Sequence, residues 1–209
     1  MVAELYTTSG KSAITYRVIN PSDISLPIEV EVYKRSFDED MKEVLEPSEE
    51  DFIVLPPQIE VPANGYQVFR AQYIGDGDFD TTQSYRIVFK QLPLQSEQNQ
   101  SQVNMIFNFA TLVFVSPPDT KGELTQNLSC DENQSCHLHI ENTGNQVVNL
   151  VQSSIKMNDE VKGDWQWLQK QIPVTFLMPK HKLQVPLNDI IDNPQSQQGV
   201  KLVTANNAQ

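Results

Sequence analysis

The stretch VNMIFNFATLVFVSPP, residues 103–118, decides the class of fold through its alternation. In an extended chain successive side chains point to opposite faces, so residues two apart share a face. One face of this stretch therefore carries the large apolar side chains of Val103, Met105, Phe107 and Phe109. The period of two indicates a β-strand, which ends at Pro117 and Pro118. Such a strand belongs either in a core or on a surface lent to a partner.

Short strand patterns separated by turn residues recur through the rest of the chain. LPIEVEVYKRSF (26–37) alternates as a half-buried antiparallel strand does, and YRIVFKQLPL (85–94) is a strand that Pro93 ends. Only GDWQWLQKQI (163–172) could form a short helix. We therefore predict an all-β protein with two immunoglobulin-like β-sandwich domains in tandem. Pro117-Pro118-Asp119 marks the boundary, which gives domains 1–117 and 118–209.

Composition narrows the functional class. A net charge of -12 speaks against nucleic-acid binding, which needs patches of Lys and Arg. No apolar run is long enough to cross a membrane, and the first ten residues lack the basic head and apolar middle of a signal peptide. We expect any such leader to lie outside this chain. The acidic run SFDEDMKEVLEPSEEDF (36–52) is predicted to be a solvated hairpin or loop.

Neither a catalytic motif nor a metal-binding motif is present in the sequence, so we predict a protein that is not an enzyme and needs no cofactor or metal. Five polar residues separate Cys130 from Cys136, a spacing that suits a disulfide in an oxidising compartment. Two free thiols are the alternative. A zinc site with His137 or His139 would lack a second pair of ligands. GDGDFD (75–80) resembles half of a calcium loop without its later Gly and Glu, and we interpret it as an acidic turn.

Four segments together resemble a known family. They occur in the order, and at roughly the spacings, found in periplasmic pilus-assembly chaperones of the PapD-like superfamily. The segments are YRVINPSDISLPIEVEVY (16–33), IVLPPQIEVPANGYQVFR (53–70), YRIVFKQLP (85–93) and FATLVFVSPP (109–118). The resemblance covers about residues 1–118. The second half agrees in length, strand content and the expected disulfide.

This resemblance implies a specific function. Members have two immunoglobulin-like domains set at an angle with a cleft between them, and they bind pilus subunits that lack a final strand. The last strand of the first domain fills the groove of the subunit and pairs with its edge, and the subunit passes to an outer-membrane usher without ATP. Here that donor strand would use Val103, Met105, Phe107 and Phe109, while residues 112–115 would pack in the chaperone's own sheet. The exposed apolar edge of the donor strand would also allow the free protein to self-associate.

The sequence departs from the family at the anchor for the C-terminal carboxylate of the subunit. Typical members use an Arg on the first strand and a Lys on the last strand. Here MVAELYTT (1–8) contains no Arg, and the matching position of the last strand is Leu112. We predict that Arg86, with Arg17 or Lys90, replaces this pair, since a buried carboxylate needs a cation with several donors. The departure resembles the archaic, Csu-type branch.

Two alternatives remain open at this stage. The basic residues assigned to the anchor could be ordinary surface charges. The chain could also be a secreted or cell-surface immunoglobulin-like adhesion module, in which residues 103–115 form an ordinary core strand. An exposed segment 103–109 and co-purification with a subunit would favour the chaperone.

Overall fold

The computed structural model describes residues 1–8, 10–93, 106–132, 135–190 and 199–205. Its elements in chain order are β1 Val2–Tyr6, β2 Ala13–Asn20, β3 Leu26–Phe37, β4 Glu43–Pro47, β5 Phe52–Leu55, β6 Gln58–Val61, β7 Gly65–Tyr73, β8 Gln83–Gln91, β9 Asn108–Ser116, β10 Leu124–Cys130, β11 Cys136–Asn142, β12 Val148–Asn149, β13 Ser154–Met157, β14 Glu160–Gly163, α1 Trp165–Leu168, β15 Phe176–Leu177, β16 Lys182–Pro186 and β17 Val200–Val203.

The chain divides into two compact units. Unit 1 comprises Met1–Phe79 and Gln83–Pro118, and unit 2 comprises Asp80–Thr82 and Asp119–Gln209. The main division thus falls after Pro118, next to the boundary expected from the paired prolines. Among the helices of the described residues, none has the length and apolarity needed to cross a membrane.

Unit 1 is a sandwich of two sheets. The larger sheet has the strand order β1-β9-β8-β3-β4, with β6 also paired to β3, and the smaller sheet has the order β2-β7-β5. All pairs are antiparallel except β1 with β9, which are parallel. Side chains from both sheets meet in one core, in which Phe89 packs edge-to-face against Tyr16 and Phe69 at centroid distances of 5.3 and 5.2 Å.

Strand β8 shows how the alternation orients the larger sheet. Tyr85, Ile87 and Phe89 point into the core and are buried. The residues between them point the other way, so Arg86 and Lys90 lie on what we call the outer face of the larger sheet. The sequence alternation therefore places both basic side chains on one side of the same strand.

Unit 2 is a second all-β body with its own core. Its sheets are β10-β11-β16, β14-β13-β17 and the short pair β12-β15, and they surround a cluster that includes Leu138, Leu150 and Leu177. Cys130 and Cys136 are opposite each other at the end of the β10–β11 pair where residues 131–135 connect the strands, and they form a disulfide with an S–S distance of 2.04 Å. The disulfide prediction is confirmed.

The predicted fold class is confirmed: the protein is all-β and consists of two immunoglobulin-like sandwiches. The run that could form a helix contains only the short α1, capped by the Asp164 side chain, which accepts a hydrogen bond from the N–H of Trp167. The acidic run forms the exposed hairpin between β3 and β4, as predicted. Residues 112–115 are buried in the larger sheet, also as predicted.

Candidate functional site

Strand β9 has two halves with different neighbours. From Leu112 to Ser116 it lies between β8 and β1, because β1 begins at Val2, opposite Leu112. From Asn108 to Thr111 it pairs with β8 on one side, and no described strand pairs with the other side. The second half of β9, residues 112–116, is therefore interior to the sheet. The first half, residues 108–111, is an edge.

The edge of the first half offers backbone groups for pairing. The N–H of Leu112 donates to the carbonyl oxygen of Met1 at 3.1 Å, away from β8. Because backbone direction alternates with period two, the N–H and C=O groups of Asn108 and Ala110 point to that same side. An unpaired row of this kind is a template for an added strand.

Large apolar side chains accompany this edge. Phe107 and Phe109 are 49% and 59% exposed, and their rings stack at a centroid distance of 6.5 Å. Phe109 is directly across from the buried Phe89, so it shares the core-facing side of the sheet and yet remains in solvent. Val103 and Met105, the other predicted donor residues, lie outside the described residues.

Arg86 lies opposite Leu112, the position at which the predicted anchor departs from the family pattern. The two residues are cross-strand partners on β8 and β9, so their side chains share the outer face. The neighbouring strand thus places a guanidinium beside Leu112.

Arg86 belongs to a three-residue ion cluster, which we call the Arg35–Glu43–Arg86 cluster. Oε1 of Glu43 accepts hydrogen bonds from Nε and Nη2 of Arg86 at 3.0 and 2.7 Å, and another from Nε of Arg35. Arg35 lies on β3, opposite Ser84, and its Nη1 donates to the hydroxyl of that residue at 3.3 Å. Two guanidinium groups therefore converge on one carboxylate.

The cluster is partly shielded from water. The side chain of Arg35 is only 9% exposed, against 25% for Arg86 and 32% for Glu43. Burial acts to raise the pKa of Glu43, but the hydrogen bonds from Arg86 and Arg35 outweigh it and hold that pKa below its ordinary value. The pair of arginines thus favours a charged carboxylate at this position.

Lys90 forms a separate cluster on the same outer face. Its ammonium group pairs with Glu31 and donates to the hydroxyl of Tyr33 at 3.4 Å, and Tyr33 itself donates to Glu31. The hydrogen bond from Lys90, followed by that from Tyr33, lowers the pKa of Glu31. Lys90 is four residues from Arg86 along the strand, a separation of about 13 Å between Cα atoms.

Arg17 is not brought to Arg86. It lies on β2 in the smaller sheet, where it points to solvent and its guanidinium carbon stands 3.9 Å from the centroid of the Tyr66 ring. The two sheets of a sandwich are about 10 Å apart, and Arg17 and Arg86 point away from each other on opposite sides. They cannot hold one carboxylate together in this arrangement of unit 1.

Sequence reasoning did not identify Arg35 or Glu43 as part of the site. The alternation of β3 places Arg35 on the polar side of the strand, but it does not show which side chains of other strands lie beside it. Glu43 sits within a run predicted to be solvated. Only the register of β3 with β4 and β8 brings these side chains to Arg86. A correct prediction of which residues pair in the hairpin over residues 35–45 would have placed Glu43 near Arg35.

Comparison with known families assigns the first unit. The family model described as "Pili and flagellar-assembly chaperone, PapD N-terminal domain" matches residues 3–121. The match covers more than half of the chain, so the protein belongs to this family of pilus-assembly chaperones. A comparison with curated proteins found no match.

Solved structures share the fold over nearly the whole chain. A structure described as a chaperone–tip adhesin complex for CFA/I fimbriae biogenesis aligns with a TM-score of 0.61 and 12% identity, covering 97% of this chain and 94% of the other. The Escherichia coli chaperone DraB gives 0.58 and 20%, with coverage of 89% and 81%. The CsuC–CsuE complex of the archaic Csu pili of Acinetobacter baumannii gives 0.56 and 14%, with coverage of 96% and 93%.

Proposed function

We propose that this protein is a periplasmic chaperone that binds pilus subunits by donor-strand complementation and delivers them to an outer-membrane usher. The observation that carries the proposal is the first half of β9, where two exposed phenylalanines accompany an open backbone edge. In an ordinary core strand those rings would be buried. A protein that prevents strand addition would cover that edge with another part of the chain. Membership of the chaperone family supports the same function.

The physical basis of binding is strand addition. A subunit strand that pairs with the edge of β9 would use the backbone groups of Asn108 and Ala110. Phe107 and Phe109 would then enter a groove of the subunit, each contributing about 1–2 kcal/mol because about half of each ring is already removed from water. We propose that Val103 and Met105 continue the series at the same spacing.

For the anchor, we propose that Arg86 binds the C-terminal carboxylate of the subunit. Its support is the position of Arg86 across from Leu112 and the two hydrogen bonds that it donates to one carboxylate oxygen, Oε1 of Glu43. Arg35 would contribute to the same anchor, because it also donates to Oε1 of Glu43. Lys90 lies further along the same face and would assist only a ligand that extends that far, while Arg17 would need a separate contact on the smaller sheet.

The test is periplasmic co-expression with candidate pilus subunits, followed by affinity purification of the chaperone. We expect Phe107→Arg to abolish one-to-one recovery of the subunit, because a charge would enter an apolar groove. Ile106→Arg is the matched control, since Ile106 is exposed to 51%, adjacent in sequence and on the opposite face of the strand.

Different outcomes separate the parts of the proposal. Equal capture by Phe107→Arg and Ile106→Arg would refute the donor strand. Arg86→Glu should weaken capture while leaving the fold intact, and unchanged capture would refute the anchor alone. Release of the subunit on addition of the cognate usher domain would test delivery. The alternative of an adhesion module predicts no recovered subunit with any of these chains.

We also propose that the chain belongs to the archaic branch of chaperone–usher systems. The support is the absence of an Arg in β1 and of a Lys at position 112, together with Arg86 on β8. In the absence of a subunit, the same open edge would allow two chaperone copies to pair. Sedimentation of the free protein and of Phe107→Arg over a range of concentrations would measure that self-association.

A further inference from the structure

The outward side of the sheet β10-β11-β16 in unit 2 carries two of the three histidines of the chain. On β11, Leu138 and Ile140 point into the core and are buried, so the alternation turns His137 and His139 outward. His139 is exposed and His137 is half-buried. Because β11 is the central strand, both imidazoles stand over the middle of the sheet. We call the outward side of β10, β11 and β16 the histidine face.

The two imidazoles are close enough to bind one ion. Residues two apart on a strand have Cα atoms about 7 Å apart and point their side chains the same way. Ser129 lies opposite His137, and its hydroxyl oxygen is 2.8 Å from Nε2 of His139. The ring of His139 therefore leans back along the strand, into the row that His137 occupies. Two imidazole nitrogens that share one ion lie about 3 Å apart, since each bond measures about 2.0–2.1 Å, and rings that converge from this spacing meet that requirement.

Among the described residues, no positive charge lies directly across from either histidine. Their partners in the register are all uncharged: Ser129, Asn127, Gln184 and Pro186. The nearest lysine in the register is Lys182, which lies opposite Glu141 and pairs with that carboxylate at 3.5 Å. The net charge of -12 attracts cations to the protein as a whole. A cation that reaches the histidine face therefore meets nitrogen and oxygen lone pairs without a fixed positive charge directly across from them.

We infer that the histidine face binds one divalent transition-metal ion through the imidazoles of His137 and His139, with Cu²⁺ bound most tightly. Imidazole is a preferred ligand of copper, nickel and zinc, whereas Mg²⁺ and Ca²⁺ take oxygen ligands. For a given set of nitrogen and oxygen ligands, affinity along this series of divalent ions is highest for Cu²⁺. Water and the neighbouring hydroxyl and amide oxygens complete the coordination. The inference does not rest on subunit capture and goes beyond it.

The site differs from a structural zinc centre. A structural centre holds its ion with four protein ligands, and the fold depends on the metal. Unit 2 instead has its own hydrophobic core and the Cys130–Cys136 disulfide, so its sheets do not need an ion. With two protein ligands at an outward-facing position, the ion exchanges with solvent. Occupancy of the site therefore follows the concentration of free metal ion around the protein, without a change of fold.

The experiment titrates the full chain with Cu²⁺, Zn²⁺ and Mg²⁺ in turn by isothermal calorimetry, in a buffer that does not bind metal ions. We expect one Cu²⁺ per chain, weaker binding of Zn²⁺ and no competition from Mg²⁺. His137→Gln and His139→Gln should each lower the affinity for Cu²⁺ about tenfold or more, because the chelate loses one of its two nitrogen ligands. Electron paramagnetic resonance of the Cu²⁺-loaded chain should show two coupled nitrogens, and one in each variant.

His181→Gln is the matched control, because it removes the third histidine, which precedes β16 and lies outside the paired residues of the histidine face. It should leave the affinity and the resonance spectrum unchanged, and circular dichroism should show that all three variants keep the β-fold. Equal Cu²⁺ affinity in the unaltered chain, His137→Gln and His139→Gln would overturn the inference. So would an equal loss in His181→Gln, displacement of Cu²⁺ by Mg²⁺, or a ratio of one ion to two chains, which would put the site between copies.

Discussion

Removing the carboxylate of Glu43 tests whether the two arginines form a carboxylate-binding site. In Glu43→Ala, Arg35 loses its ion-pair partner while its side chain is only 9% exposed. Breaking a fully buried ion pair costs about 3–5 kcal/mol, and the 32% exposure of Glu43 lets water compensate part of that. We therefore expect unit 1 to lose about 1–3 kcal/mol of unfolding free energy.

The chain offers a separate spectroscopic signal for each unit. All six tyrosines lie in unit 1, and both tryptophans, Trp165 and Trp167, lie in unit 2. Urea unfolding followed by tyrosine fluorescence therefore reports the unit that contains Glu43, and tryptophan fluorescence reports the other. The loss in Glu43→Ala should appear in the tyrosine signal.

Added acetate should restore stability to Glu43→Ala. A ligand that binds only the folded state at ten times its Kd stabilises it by about 1.4 kcal/mol. Acetate should therefore raise the urea midpoint of this variant more than chloride at equal ionic strength does. Glu46→Ala is the control, because it removes an exposed carboxylate from the same strand. If acetate acts equally on Glu43→Ala, Glu46→Ala and the unaltered chain, the arginines do not form a carboxylate site.

Three further predictions follow from the described contacts. Because the pKa of Glu43 is lowered from its ordinary value of 4.5, the contribution of Glu43 to stability is complete above pH 4.5 and is lost as pH falls through the lowered value. The urea midpoint of the unaltered chain should therefore approach that of Glu43→Gln in acid. A difference between the two midpoints that stays constant with pH would contradict this. Tyr16→Phe should cost about 0.5–1.5 kcal/mol, since Thr111 donates to the Tyr16 hydroxyl inside the core; an unchanged tyrosine-detected midpoint would count against that bond. Reducing the Cys130–Cys136 disulfide should destabilise unit 2 by roughly 2 kcal/mol, measured by tryptophan fluorescence, and the double Ser variant should match the reduced protein.

Much of the fold could be predicted from local patterns. The alternation in β3, β8 and β9 identifies strands and their buried faces, because burial on one side of a sheet imposes a period of two. The exposure of Phe107 could be predicted only through the family resemblance. Its alternation continues that of Val113 and Val115, which are buried, so the pattern itself does not distinguish a donor strand from a core strand.

The anchor shows where sequence reasoning ends. Arg86 could be predicted as an anchor because β1 contains no Arg and position 112 is Leu, but its partners depend on the register between strands. A shift of one residue in β3 would put Lys34 in place of Arg35 on the outer face. Likewise, the order of the strands in the chain does not show that Arg17 and Arg86 lie in different sheets. Arg17 is on β2, which belongs to the smaller sheet.

The pairing of β1 distinguishes the two halves of β9. Among the described residues, β1 pairs with β9 only from Leu112 onward. A designed strand that paired with Asn108 and Ala110 would cover the edge that we propose a subunit uses. The buried half from Leu112 to Ser116 meanwhile holds the strand rigidly against β8 and β1, so less conformational entropy is lost when a partner pairs with the exposed half. An N-terminal extension designed to continue β1 should therefore weaken subunit capture without altering the core.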